Sequence, residues 1–262
     1  MVKNQFSKNC VIYTSEGEVL QLEYAKKGAL KGKMILSFSS ANHLIIFIIN
    51  HKFKTSRTSL NKIDILSQNF SVVRSGNIGD SIYLSGFVKK NSLEYYNLNK
   101  RNCPMNKISY KCSSLFASKI FSMENRPFGS NLLLTSFDLM GPSIKKIYND
   151  SRSFDYKVFI HSSKYDKLND YFFKNITKIE FFSQDELIFW CLKIYLKLMI
   201  LEISSRFLYK YFQLAITGKK TPFVVINNKV KYYLINDLPF LKKKIVTAFL
   251  QLEKKIDFRK HF

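Results

Sequence analysis

The sequence predicts an α+β fold: a four-layer α-β-β-α sandwich in which two antiparallel sheets pack face to face, with a helix pair outside each. The predicted strands and helices occur in groups instead of alternating, an order typical of antiparallel sheets with helices segregated to their faces. Of the 262 residues, 46% are hydrophobic, which is enough to bury one substantial core. We find neither an internal repeat nor a linker long enough to split the chain.

The first predicted element is a short amphipathic helix. A turn over residues 14–17 precedes it, and Ser15 with Glu18 three residues later fits a capping box. Glu23 stands four residues before Lys27, the favourable order for an exposed ion pair, and Gly32 ends the helix. One apolar face follows steps of three and four residues: Val19, Leu22, Ala25 and Ala29.

The remaining elements follow from periodicity and turn signals. Strands are predicted over residues 33–39, 43–50, 62–66 and 70–75. A helix pair follows over 80–97 and 105–122, with Asp80 as the expected N-cap of the first. Three strands are predicted over 131–137, 143–148 and 156–161, a second helix pair over 164–176 and 183–201, strands over 212–217 and 223–226, and a final basic helix.

The formal net charge of +23 has two interpretations. A charge of this size indicates an anionic partner such as nucleic acid or an acidic protein. Alternatively, AT-rich codon usage enriches Lys, Asn, Ile, Phe and Tyr throughout a chain. The lysines are spread along the sequence, with one dense run at 242–244, and this spread favours codon usage as the cause of the high charge.

The sequence contains no motif that supports a metal-binding site, a phosphate-binding loop or a membrane span. The four cysteines are far apart and the four histidines have no acidic or cysteine neighbour at ligand spacing, so we predict no metal site and no cofactor. No glycine-rich phosphate loop is present. The apolar runs are too short for a membrane span, and no secretory signal opens the chain, so we expect a soluble intracellular protein with reduced thiols. The cysteines are Cys10, Cys103, Cys112 and Cys191.

Residues 17–25, GEVLQLEYA, resemble the N-terminal signature of 20S proteasome alpha-type subunits. The matching positions are Gly17, Gln21, Glu23, Tyr24, Ala25 and Gly32. The chain departs from the signature at Ser15, where the family has proline, and at Glu18, where it has a basic residue.

Four later blocks are similar to the family in order and spacing. They are N-K-I at 61–63, S-G-N-I-G-D at 75–80, R-P-F-G at 126–129 and D-L-M-G-P at 138–142. Ile82 replaces the arginine usual after the second block. The last block and the tail N-Q-F at 4–6 are most similar to the subunit at ring position six. The resemblance divides the chain into a tail at 1–13, an alpha-type domain at 14–238 and a basic C-terminal helix at 239–262.

The resemblance implies the proteasome-subunit (Ntn-hydrolase) fold without catalysis. Beta-type subunits use an N-terminal threonine, freed by cleavage after a glycine, as nucleophile with its own amine as base. Here Lys33 follows Gly32, and Asn50 or a neighbour stands where the acidic partner is expected. Of the catalytic positions of beta-type subunits, only the lysine is retained here, as Lys62, so no catalytic residue is expected.

The resemblance also implies a role in an assembly. We expect this chain to join other alpha subunits in a hetero-heptameric outer ring, to contact beta subunits and to bind regulatory activator particles, in cytoplasm and nucleus, during ubiquitin-dependent protein degradation. A subunit of charge +23 would repel its own copies, which favours a mixed ring. The alternative is a basic nucleic-acid-binding protein on an unrecognised fold, which gives no reason for five blocks in register.

Two groups of residues carry the expected roles. The activator-docking pocket is implied at Gly32, Lys62, Gly76 and Asn77. The gate and its supporting N-terminal helix are implied at Phe6, Ser7, Lys8, Ser15, Gly17, Gln21, Glu23 and Tyr24.

Overall fold

The computed structural model describes residues 13–32, 34–50, 62–67, 69–122, 125–138, 141–161, 186–187, 190, 211–218 and 221–229. The helices within these ranges are α1 Leu20–Leu30, α2 Ile78–Asn99 and α3 Met105–Ile120. The strands are β1 Ile35–Ser39, β2 His43–Asn50, β3 Ile63–Ser67, β4 Phe70–Gly76, β5 Ser130–Asp138, β6 Gly141–Ile147, β7 Ser153–Tyr156, β8 Val158–His161, β9 Tyr211–Gly218 and β10 Thr221–Lys229.

The strands form two five-stranded sheets. The first has the order β10-β9-β2-β1-β8 and the second β3-β4-β5-β6-β7. Every neighbouring pair is antiparallel, as in the β1–β2 register that places Ser37 opposite Ile46. The predicted α+β class with two antiparallel sheets is confirmed.

One helix pair covers the outer face of the second sheet. Helices α2 and α3 share a core with β4, β5 and β6, formed by Val72, Leu84, Val88, Ile108, Cys112, Phe116, Leu132, Leu134 and others. The first predicted helix pair is therefore confirmed, with α2 two residues longer at each end and α3 two residues shorter at its end. The second predicted pair, 164–176 and 183–201, and the basic helix at 239–262 lie outside the described residues, except for helical positions at 186, 187 and 190.

The two sheets enclose a second apolar core. It consists of Ile35, Leu44, Ile46, Ile48, Ile63, Val73, Leu133, Ile144 and Phe159. Neighbouring side chains in a strand point to opposite faces, yet Leu36 and Phe38 beside Ile35 are also fully buried. Both faces of β1 are therefore covered, as in the interior sheet of a layered sandwich.

The capping box predicted at Ser15 is wrong. The Gly17 N–H instead donates to the Thr14 carbonyl at 2.9 Å, closing a turn in which Gly17 takes a φ of +80°. Helix α1 begins only at Leu20, and its N-cap residue Val19 has no side-chain capping bond. The predicted exposed pair also differs, because Glu23 forms its ion pair with Lys26 at 2.6 Å.

The N-cap predicted at Asp80 is also wrong. Asn77 caps α2, its Oδ1 accepting from the Gly79 N–H at 3.0 Å. Asp80 lies in the first turn of the helix, where its carboxylate binds Arg126 and the Gly129 N–H. The Asp80 carboxylate oxygens therefore bind Arg126, 46 residues away, and do not cap the N-terminus of the helix.

The single strand predicted over 156–161 is two strands in different sheets. β7 pairs with β6 in the second sheet, and β8 pairs with β1 in the first. The chain crosses between the sheets at Lys157, whose carbonyl accepts from the Ser39 N–H at 2.8 Å. Alternating apolar residues run through both strands, so periodicity alone does not mark the crossing.

Candidate functional site

Helix α1 packs across the ends of β4 and β5, and glycines permit its close approach. Gly76 ends β4 with a φ of +93°, a backbone conformation that residues other than glycine rarely adopt. A Cβ at Gly76 would lie 2.5 Å from the Gly129 carbonyl oxygen and 3.1 Å from the Cα of Ala29 in α1. The absence of a side chain at this position allows α1 to rest directly on the second sheet.

A cavity of about 410 Å³, here called the α1 cavity, lies beside this contact. Its wall combines α1, the start of α2 and the segment before β5: Gln21, Tyr24, Ala25, Gly28, Lys31, Gly76, Asn77, Arg126, Pro127 and Gly129. The lining is partly polar and includes two basic side chains, Lys31 and Arg126. Such a cavity can accept a polar or anionic chain segment.

Asp80 holds the segment before β5 against α2. Its two carboxylate oxygens accept from Arg126 at 2.7 and 2.8 Å, and Oδ2 also accepts from the Gly129 N–H at 2.8 Å. Burial alone would raise the pKa of Asp80, but the bonds from Arg126 and Gly129 outweigh it and hold the pKa below its usual value. The Asp80 side chain is 10% exposed and that of Arg126 60%, so the pair spans the cavity wall from interior to solvent.

The residues predicted for a docking pocket gather at one end of the second sheet. Gly76 and Asn77 line the α1 cavity. Gly32 lies next to β4, because a Cβ built on it would be 2.6 Å from the Gly76 nitrogen and 2.5 Å from Ser75 Oγ. Lys62 precedes β3, where its carbonyl accepts from the Arg74 N–H at 2.9 Å. Gly32 and Lys62 adjoin this end of the sheet without lining the cavity.

A buried histidine, His161, lies against Gly32. His161 is 2% exposed, and its Nε2 would be 3.0 Å from a Cβ at Gly32. Burial, with the charges of Lys146 and Lys62, lowers the pKa of His161 to about 4, against the opposing effect of its backbone hydrogen bond with Ala29. The histidine is therefore neutral at physiological pH, and its bond to Ala29 ties the end of α1 to β8.

Lys146 lies in the same polar end of the inter-sheet core. Its Nζ is 3.8 Å from the ring centroid of Tyr148 and 4.6 Å from that of Phe159. Burial lowers the pKa of Lys146 to about 8, partly opposed by the charge of Asp150. Because Lys146 packs against these aromatic rings, it is part of the protein interior and does not line the α1 cavity.

The residues predicted for the gate and its helix are placed only in part. Gln21 and Tyr24 line the α1 cavity, Glu23 is ion-paired with Lys26, and Ser15 and Gly17 belong to the turn before α1. Phe6, Ser7 and Lys8 lie outside the described residues.

Sequence reasoning did not connect Gly28, Lys31 and Pro127 with a site. Gly28 approaches Gly129, with 3.8 Å between its hypothetical Cβ and the Gly129 Cα. The sequence motifs that contain Pro127 and Gly28 are the R-P-F-G block at 126–129 and the K-K-G run at 26–28 in α1. Nothing in their spacing indicated that these two segments meet.

Two further features concern the described ranges: helices that could cross a membrane and groups that could hold a metal ion. None of their helices combines the length and hydropathy that a membrane crossing requires. Likewise, no group of three His, Cys, Asp or Glu side chains among these residues is placed to hold a metal ion.

The chain is similar in sequence to proteasome subunits. A family model described as "Proteasome subunit" matches residues 31–194. The chain is 21% identical to proteasome subunit alpha type-1 of Drosophila melanogaster over 87% of its own length and 82% of that protein. It is 26% identical to proteasome subunit alpha type-2 of Oryza sativa subsp. indica over 60% of the chain and 68% of the relative. It is 20% identical to a probable proteasome subunit alpha type-6 of Schizosaccharomyces pombe over 74% and 71%.

Proposed function

Since this chain belongs to the proteasome subunit family, we propose that it is a non-catalytic alpha-type subunit of the 20S core particle. The observation that carries the proposal is α1, the helix with the alpha-type signature, seated on the ends of β4 and β5. The matched relatives are alpha-type subunits, which supports the same assignment.

The absence of catalysis rests on the residue that follows Gly32. A beta-type enzyme requires a threonine there with a free α-amine. This chain has Lys33, whose α-amine lies in a peptide bond because residues 1–32 precede it. Removal of residues 1–32 would also remove helix α1, which packs against β4 and β5.

As an alpha subunit, the chain would help to form an outer hetero-heptameric ring, together with other alpha subunits and against beta subunits. Residues 1–13 would contribute to the gate over the entrance, and activator particles would dock beside Lys62. The cytoplasm and nucleus are the proposed locations. The turn at 138–142 favours ring position six, and because the matched relatives carry three different type numbers, that position stays a prediction.

Purification of the tagged full chain from its own cells tests the proposal. We expect it to sediment in a particle of several hundred kilodaltons with other alpha- and beta-type subunits, identified by mass spectrometry. The outcome should not change after nuclease treatment. Recovery outside any such particle, bound to nucleic acid and released by nuclease, would favour the alternative of a basic nucleic-acid-binding protein.

Lys62→Ala tests the docking role. A charge-assisted hydrogen bond contributes about 1.5–3 kcal/mol, so loss of the ammonium should raise the activator concentration needed for half-maximal stimulation about tenfold or more. Peptide hydrolysis by assembled particles, with and without an activator, measures this. Lys62→Arg retains the charge and should restore much of the response. Equal stimulation of wild-type and Lys62→Ala particles would contradict the role.

A further inference from the structure

The side chain of His161, on β8, contacts the C-terminal end of α1. It forms a backbone hydrogen bond with Ala29 in the last turn of the helix. Its Nε2 lies 3.0 Å from the position of a Cβ on Gly32, two residues beyond the helix. The imidazole also stacks on the ring of Phe159, with 6.4 Å between the centroids. Because His161 is 2% exposed, movement of this end of α1 away from β8 would open the imidazole to water.

The charged groups around His161 are cations. Lys146 acts on the imidazole from β6, and Lys62 acts on it from the segment before β3. No carboxylate among the described residues forms an ion pair with His161. Asp150, whose charge acts on Lys146, is itself bound to Arg152 at 2.6 Å. A proton on the imidazole would therefore place a third positive charge beside two lysines.

The remaining groups packed around His161 in the described part of the chain are neutral. The strand β1 contributes its cross-strand partner Ile35, and β4 contributes Ser75, whose Oγ lies 2.5 Å from the same Cβ position on Gly32. The hydroxyl groups of Tyr148 and Tyr156, beside Lys146, bond to each other at 2.7 Å. A buried imidazolium at this place would thus have no compensating anion.

We propose that His161 is a pH-sensitive latch for α1: the neutral imidazole holds the C-terminal end of the helix against β8, and protonation releases that end. In the closed arrangement a charged imidazole is disfavoured by its enclosure and by the two lysines. When the helix end moves away, water reaches the imidazole and stabilises its charge. Acid therefore shifts the population from the closed to the released arrangement.

The pH range of the latch follows from the two protonation equilibria. The pKa of His161 is lowered to about 4 in the closed arrangement, from 6.5 for a solvated imidazole. The stabilisation of the closed arrangement is therefore complete above pH 6.5 and is lost progressively as the pH falls toward 4. From these two values, the ratio of released to closed chains should rise about tenfold between pH 7.5 and pH 5.5.

The latch has a consequence for docking, and this consequence rests on the proposed function. Gly32 follows α1 directly and belongs to the residues implied for activator docking, so release of the helix end displaces it from Gly76. In particles that contain the full chain, the ratio of activator-stimulated to basal peptide hydrolysis should fall between pH 7.5 and pH 5.5. The fall should be smaller for His161→Asn, which does not titrate. Equal falls would overturn the link to docking; if the chain occurs in no particle, the proposed function fails and the latch is tested on the chain itself.

Hydrogen exchange of the full chain, read by mass spectrometry of its peptides, measures the release of α1. Each rate is divided by the intrinsic exchange rate at the same pH, so that only the opening equilibrium remains. We expect the protection of residues 20–32 to fall about tenfold from pH 7.5 to pH 5.5, while that of residues 105–120 in α3 stays constant. Unchanged protection of α1, or an equal fall in α1 and α3, would overturn the latch.

Matched variants separate titration of the imidazole from its packing. His161→Asn and His161→Gln each keep a side-chain N–H that can donate to the Ala29 carbonyl, and neither titrates, so the protection of α1 should be the same at both pH values. His161→Phe keeps a ring beside Phe159 without the donor, and α1 should be less protected than in the wild type at pH 7.5. Circular dichroism controls for folding, and the comparison of α1 with α3 in the wild type needs no variant. A tenfold fall that persists in the folded amide variants would overturn the assignment to His161.

Discussion

Gly76→Ala is expected to destabilise the chain by about 2–5 kcal/mol or to prevent folding. The added methyl group would lie 2.5 Å from the Gly129 carbonyl oxygen, 2.7 Å from the Ser130 Cα and 3.1 Å from the Ala29 Cα. All three are backbone atoms, so relief requires α1 to move away from β4 and β5. Overpacking of this kind costs about 1–3 kcal/mol, and a φ of +93° adds strain of about 1–2 kcal/mol for alanine.

Gly86→Ala provides a matched control. Gly86 lies inside α2, and no atom is within 4 Å of the position that its Cβ would occupy. Alanine should therefore stabilise the helix by up to about 1 kcal/mol. Urea denaturation of the full chains measures both changes as shifts in midpoint. A Gly76→Ala midpoint equal to that of the wild type would contradict the account of how α1 is seated.

Asp80→Asn is expected to destabilise the chain by about 1.5–3 kcal/mol. The carboxylate accepts three hydrogen bonds, two from Arg126 and one from the Gly129 N–H, and hydrogen bonds to charged groups contribute about this much. The amide cannot accept at both positions that face Arg126, so the segment lining the α1 cavity loosens. Glu94→Gln should change stability by less than about 0.5 kcal/mol, because its partner Lys90 is 4.0 Å away and both side chains are largely exposed.

The pH dependence identifies the Asp80 contribution. Because the pKa of Asp80 is lower in the folded chain than in the unfolded one, the stabilisation is complete above the unfolded pKa of about 3.9. It is lost as the pH falls through the folded pKa. The difference in free energy of unfolding between the wild type and Asp80→Asn should therefore be constant near neutrality and shrink in acid. A difference that stays constant down to pH 2 would show that the carboxylate charge is not responsible.

Local patterns predicted much of the fold because they depend on residues close in sequence. The strand pair β1–β2 follows from two short apolar runs joined by the turn at 40–42. The helices α2 and α3 follow from helical spacing and Pro104, and the centres of all four elements were correctly placed. The errors occurred where a distant partner decided the outcome. Arg126 binds the carboxylate of Asp80, so Asn77 caps α2 instead. The crossing at Lys157 divides one predicted strand between two sheets.

The sequence by itself determined the fold class, the family resemblance and the lysine at the position of a catalytic threonine, because these depend on composition, periodicity and linear motifs. Only the tertiary structure decided that Tyr24, Asn77 and Arg126 line one cavity. They come from segments about fifty residues apart, and α1 brings them together by resting on Gly76. The exposure of Tyr110 and Phe121 was likewise decided by how α3 packs, because a helix with apolar residues on both sides does not reveal in its sequence which side faces the sheet.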